Sequence, residues 1–220
     1  MQEQNANNFK YELQKLHHYH FAGSMMGSVA IIYFSGTGNT HLMAEAIASG
    51  VHRHADTRAD LLRIEGIQIK DGRWFDEKFM ECLQMADAIL FGSPTYMGGA
   101  AAQFKAFADF TSETWFTESW KDKLAGGFTH GAALSGDKLN TLIYFSIFAA
   151  QHGMVWVNPG EIDCTARGTS DETNRLGSYL GVMGQAYLDF EQKEPELHPG
   201  DRLSCEHFGQ HIAKWVHRIK

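Results

Sequence analysis

The sequence predicts an α/β protein in which a parallel sheet of five strands, in the order 2-1-3-4-5, carries helices on both faces. Three observations lead there. Val29-Ala30-Ile31-Ile32-Tyr33-Phe34 is apolar on both sides, as a strand inside a parallel sheet must be. Strand-like and helix-like segments then alternate, and right-handed crossovers turn such alternation into a doubly covered sheet. Glycine-rich loops follow the first, third and fourth strands, whose carboxyl ends border the ligand crevice in that strand order.

After the first strand, Leu42, Met43, Ala46 and Ile47 recur at helical spacing. Ala59 to Ile64 reads as a second strand whose polarity suits a sheet edge. Phe75 to Met85 reads as a helix with Phe75, Phe79, Cys82 and Leu83 as its apolar positions. Ala86 to Gly92 is the third strand, followed by a loop from Ser93 to Gly99 and a helix from Ala101 toward Phe110. Leu124 to Thr129 is the fourth strand, Lys138 to His152 the next helix, Met154 to Val157 the fifth strand and Arg202 to Ile219 the last helix. Residues 158–200 hold six Gly and three Pro with little periodicity, and so long an excursion points to a functional or interfacial use. Its apolar residues Leu180, Val182, Met183, Tyr187 and Leu188 are expected to form an exposed interface patch.

At 220 residues without a Pro- or Ser-rich linker after the first strand, the chain reads as one domain over 28–220 with an amino-terminal extension over 1–27, expected to be a flexible tail, the alternative being an amphipathic helix bearing Phe9, Tyr11, Leu13 and Leu16. In that extension His17, His18 and His20 lack an acidic or thiol neighbour, so they read as solvated side chains and no metal site is expected. The formal charge of −7 argues against nucleic acid as a partner. No apolar run nears the roughly 20 residues of a membrane span, and no signal-peptide core stands at the start, so a cytoplasmic location without membrane contact is expected. Cys82, Cys164 and Cys205 are odd in number and form no Cys-x-x-Cys pair, which suits a reducing compartment and thiols of the core or surface.

The chemistry concentrates in the loops. Ser35-Gly36-Thr37-Gly38-Asn39-Thr40 leaves backbone N–H groups and hydroxyls free to converge on an anion where a helix begins. It lacks the Lys of a Walker loop, and His41 stands where a dinucleotide fingerprint needs its third Gly. A phosphate monoester fits what remains. The ligand-free alternative is an ordinary turn capped by Thr37 or Thr40. In the loop Ser93 to Gly99, Pro94 sets the chain direction, Gly98 and Gly99 permit close backbone approach, and Tyr96 or Met97 offers a surface for a flat ring.

The phosphate string resembles that of the flavodoxins. Gly92-Ser93-Pro94-Thr95-Tyr96-Met97-Gly98-Gly99, with Gln103 and Lys105-Ala106-Phe107 behind it, resembles the flavin loop and following helix of WrbA-type NAD(P)H:quinone oxidoreductases. Trp115 ahead of Lys123-Leu124-Ala125, the glycine-containing loop after Phe128-Thr129, His152-Gly153-Met154 and Gly177-Ser178-Tyr179-Leu180-Gly181 extend the resemblance over about residues 28–219. It implies a flavodoxin-like fold and an FMN cofactor held by Ser35, Thr37, Gly38, Asn39, Thr40, Pro94, Thr95, Tyr96, Met97, Gly98, Thr129, His130 and Gly131. It further implies NADH or NADPH as donor, a quinone acceptor, His152 and Trp115 as catalytic residues, and a dimer or tetramer whose subunits complete one another's pockets. From the residues alone, His152 before Gly153 reads equally as a histidine at a helix carboxyl end, and Trp115 as a core or interface aromatic.

The sequence also departs from that family. The phosphate string replaces a Tyr-Gly-His version, Thr129-His130-Gly131-Ala132-Ala133 replaces a Ser-Thr-Gly-Thr string, and Met97 stands where an aromatic is common. A flavodoxin-type one-electron carrier is the alternative function, and the acidic charge suits it. Against it, the loop after the fourth strand has no Tyr or Trp to cover a flavin ring. A signalling receiver on the same fold would need Asp at the end of the third strand, where Gly92-Ser93 stand.

Overall fold

The computed structural model describes residues 26–186 and 194–220. Nearly all of the amino-terminal extension, with its three histidines, and Tyr187 and Leu188 of the excursion lie outside the described residues. In chain order the elements are β1 (Gly27–Phe34), α1 (Asn39–His52), β2 (Thr57–Ile64), a 3-10 turn at Gly66–Gln68, the small hairpin β3 (Ile69–Lys70) and β4 (Arg73–Trp74), α2 (Glu77–Met85), β5 (Ala88–Tyr96), β6 (Gly99–Ala100), α3 (Ala102–Phe110), α4 (Ser112–Phe116), β7 (Leu124–Gly131), α5 (Lys138–Gln151), β8 (Val155–Trp156), α6 (Cys164–Arg167), β9 (Val182–Gln185) and α7 (Pro199–Arg218).

The main path of the sheet is β2-β1-β5-β7-β8, all parallel, which is the expected 2-1-3-4-5 order with the polar strand β2 at one edge. The sheet has seven strands in place of five, because β6 folds back on β5 and β9 adds to β7. The fifth position is thus filled in two pieces: β8 pairs Leu124 and Ala125, and β9 pairs Phe128 to Gly131 further along the same strand. The excursion leaves between them. The Trp156 indole N–H donates to the Leu180 carbonyl at 2.9 Å, and Gly181 passes so near the Gly127 carbonyl that a Cβ there would overlap it.

That arrangement corrects the expected interface patch. Val182 is buried as a strand residue, and Leu180 and Met183 pack against the core, so these three side chains turn inward, whereas Ile162 and Tyr179 stay exposed. The exposed apolar stripe lies on α5, where Leu139, Ile143 and Ile147 recur every four residues on the solvent side.

Residues of β1 alternate between two cores. Val29, Ile31 and Tyr33 face α1 and α7, whereas Ala30 and Ile32 face α2, α3 and α5. Burying each large side chain of this kind contributes about 1.5 to 3 kcal/mol. The first core brings helix backbones into direct contact: a Cβ on Gly50 would overlap the Glu206 carbonyl, and one on Gly209 the Ile47 carbonyl. Helix α1 is therefore clamped along its length, which fixes the loop at its amino end. No helix among the described residues is long and apolar enough to cross a membrane.

Candidate functional site

The loop Ser35–Gly38 joins β1 to α1 at the carboxyl edge of the sheet. Gly38 is the N-cap residue of its helix, left-handed at φ 95°, and neither it nor the Thr37 or Thr40 hydroxyl caps the first turn. The reading in which Thr37 or Thr40 caps the turn therefore fails. Among the described residues, the backbone N–H groups of Gly36, Thr37, Gly38, Asn39 and Thr40 meet no protein acceptor. Such orphan donors need a partner. Ser35 is buried and its Oγ accepts from the His41 N–H at 3.1 Å, which ties the loop to the helix. The first turn carries no acidic residue, and the Arg63 guanidinium of β2 donates to the Ser35 carbonyl at 3.2 Å. Five unpartnered N–H donors and a helix dipole suit a phosphate dianion, and the Arg63 guanidinium beside them is itself paired with Glu65 at 3.2 Å.

Beside it, the stretch expected to be a loop continues β5 through Pro94, Thr95 and Tyr96 and turns back into β6. The two turn residues, Met97 and Gly98, both have positive φ, at 48° and 81°. Paired positive angles match the right-handed twist of a hairpin, and Met97 accepts a strain of about 1 to 2 kcal/mol to adopt them. Its side chain is fully exposed. The turn is held by the Asn140 amide, which donates to the Gly98 carbonyl at 2.7 Å, and by Ser93 Oγ, which accepts from the Ala101 N–H at 2.9 Å. Tyr96 reaches across to the phosphate loop, where its hydroxyl occupies the space a Cβ on Gly36 would need.

Thr95 and Thr129 turn their hydroxyls inward. They lie 2.8 Å apart, Thr95 is also 2.8 Å from Thr141 Oγ1, and Thr129 donates to the Ser93 carbonyl at 2.7 Å. Their side chains brace β5, β7 and α5. His130 points to the other side, against Met43 and Gly184. Burial first, then the charges of Lys138 and Arg175, pushes its imidazole down to about 4, so it is neutral at physiological pH.

Sequence reasoning missed a buried ionic group behind this loop. Lys138, the first residue of α5, has no exposed surface and donates to the Gly184 carbonyl at 3.1 Å, and burial lowers it to about 8. Arg175 holds Asp201 through two bonds of 2.7 and 2.8 Å, and Asp201 accepts from the Gln185 N–H at 2.9 Å. A lysine at a helix amino terminus opposes the dipole, and that misfit was the available signal.

Trp115 and His152 come together, but at the other edge of the sheet. Trp115 precedes β7 and His152 ends α5, so both stand where strands begin, and the loops after β1, β5 and β7 stand where they finish. They share a cleft of about 400 Å³ with Lys105, Thr111, Tyr144 and Phe148. His152 Nε2 lies 2.9 Å from Thr111 Oγ1, its ring packs between Trp120 and Phe148, and its buried Nδ1 has no partner among the described residues. Burial brings it down to about 4. Within one chain, these two residues do not line the pocket of the glycine-rich loops.

The sheet order, the uncapped loop with its unpartnered N–H groups and the hairpin beside it define a flavodoxin-like protein. Residues 28–163 match the NADPH-dependent FMN reductase family. The chain is 36% identical over 191 residues to flavodoxin FldP of Pseudomonas aeruginosa, covering 86% of this chain and 96% of that one. It is 32% identical over 208 residues to an NAD(P)H dehydrogenase (quinone) of Trichlorobacter lovleyi, covering 88% and 99%. The solved structure of a WrbA-like flavodoxin from Agrobacterium tumefaciens superposes with a TM-score of 0.68 at 37% identity, over 88% of this chain and 99% of that one. The chain therefore belongs to the NADPH-dependent FMN reductase family, among flavodoxin-like proteins of the WrbA type. The cradle from Gly36 to Thr40 fits the single phosphate of the FMN that the family's description names.

Proposed function

We propose that the protein is an FMN-dependent oxidoreductase that takes two electrons from NADH or NADPH and passes them to a quinone-type acceptor. The observation that carries this reading is the loop after β7. Ala132, Ala133, Leu134, Ser135, Gly136 and Asp137 hold no Tyr or Trp that would cover a ring lying against the hairpin. Bound FMN supplies the redox chemistry, accepting hydride and returning electrons; the chain binds and orients it. The N–H groups of residues 36–40, with the Thr37 and Thr40 hydroxyls, hold the phosphate. The strained Met97-Gly98 turn and Tyr96 form the wall for the ring, and the backbone of Thr129, His130 and Gly131 borders it. The name of the Trichlorobacter relative supports the quinone. Three cysteines without disulfide partners suit work in the cytoplasm.

Assembly belongs to the same proposal. The apolar stripe Leu139, Ile143 and Ile147 gives two copies a surface to bury, and the cleft of Trp115 and His152 then becomes available to a neighbour's flavin, as the WrbA resemblance implies. The one-electron carrier is the second reading, favoured by the name of the FldP relative and by the charge of −7.

Anaerobic mixing separates the two. Under the oxidoreductase reading, NADH or NADPH bleaches the flavin absorbance within seconds and benzoquinone restores it. A flavin inert to both nucleotides, which dithionite takes to a long-lived one-electron-reduced form, overturns the proposal in favour of the carrier.

A further inference from the structure

The phosphate loop is contacted from outside by a segment more than 150 residues away. Pro195 sits on Gly38 so closely that a Cβ there would lie 2.7 Å from the proline ring. The next residue, Glu196, donates its backbone N–H to Asn39 Oδ1 at 3.3 Å, and its own side chain is exposed. Gly38 is thus required twice, for its left-handed backbone and for the room it leaves Pro195. The bond to Asn39 has a chemical consequence. A side-chain amide presents an oxygen or two N–H donors according to which way it is turned. With its oxygen turned to Glu196, Asn39 leaves its N–H donors for a ligand. Turned over, it would set an oxygen against a phosphate.

We propose that Pro195 and Glu196 form a positioning strap for the flavin phosphate: the strap seats on Gly38 and, through the Glu196 N–H, holds the Asn39 amide in its donor orientation. The protein thereby discriminates in favour of a phosphorylated flavin over riboflavin. The inference rests on the reading of residues 35–40 as an FMN phosphate site. Glu196 acts by its backbone N–H and Pro195 by its packing on Gly38, so both act through the loop.

The test is titration of the full-length chain with FMN and with riboflavin, followed by flavin fluorescence. Glu196→Pro removes the N–H and frees the Asn39 amide. FMN affinity falls about five-fold, as for loss of one well-placed hydrogen bond, while riboflavin affinity stays the same. The ratio between the two flavins is a readout that general loosening of the fold does not move. Circular dichroism reports whether the variant folds; where it does not, Pro195→Gly takes its place, unpinning the strap with the N–H intact and narrowing the preference about two-fold. A folded variant that binds both flavins like the wild type, or loses both in equal proportion, overturns the strap. A wild-type chain that does not prefer FMN to riboflavin overturns instead the phosphate-site reading beneath it.

Discussion

Acidification tests whether His130 and His152 are as buried as the structure has them. Burial pushes both imidazoles down to about 4, with Lys138 and Arg175 adding to the effect on His130. An unfolded histidine titrates near 6.5. Between about 6.5 and 4 the unfolded chain therefore binds protons that the folded chain refuses, so stability is fully present above about 6.5 and falls as the pH drops. Integration from about pH 7.5 to pH 5 gives a loss of about 2 kcal/mol for each histidine. The sign is opposite to that of a histidine stabilised by a carboxylate. Urea unfolding at the two pH values measures it, and the variant isolates one residue from the remaining titrating groups. His152→Gln, which keeps a polar atom near Thr111 but cannot titrate, should lose about 2 kcal/mol less than the wild type over that interval. An acid loss in His152→Gln equal to that of the wild type would show that His152 is accessible to protons in the folded chain, and the reasoning would be wrong.

Other perturbations address other parts of the account. Replacing Thr37 and Thr40 together with Ala removes two hydroxyls from the cradle and should weaken FMN binding by about 2 to 4 kcal/mol, counting 1 to 2 for each bond to a charged group; unchanged affinity in a fluorescence titration would leave the phosphate site without support. Gly209→Ala drives a Cβ into the Ile47 carbonyl and should destabilise the α1–α7 contact by about 1 to 3 kcal/mol, read as a lowered Tm. A change within about 0.5 kcal/mol would mean that the helices separate without penalty. Light scattering of the wild type should show an oligomer, and Ile143→Asp with Ile147→Asp should return it to a 24.7 kDa monomer; a wild type that is already monomeric removes the role given to the α5 face.

The parts of the molecule that were legible in the sequence are those specified locally. A run such as Val29 to Phe34 is readily buried on both faces inside a parallel sheet, and Gly36-Thr37-Gly38 suits a turn into a helix, so the central strand and the turn into α1 were both readable. What stayed hidden depends on partners distant in the chain. Strand β9 is four residues, Val-Met-Gly-Gln, with no alternation strong enough to announce a strand; it exists because the far half of β7 is left unpaired by β8. The turn at Met97-Gly98 lacks the Asn-Gly signature of its geometry, and its angles are maintained by Asn140 from another helix. The contact of Glu196 with Asn39 leaves no trace in either segment. The position of His152 was available, since a residue between a helix end and the following strand must stand at the amino edge of a parallel sheet, away from the loops it was expected to join.

A flavin mononucleotide seated on residues 36–40 is the central expectation. The protein purified without added cofactor, scanned for flavin absorbance and then denatured so that the released flavin can be identified by mass, should yield FMN at about one per chain. Release of FAD, or a full-length folded chain that neither carries nor takes up any flavin, would contradict it.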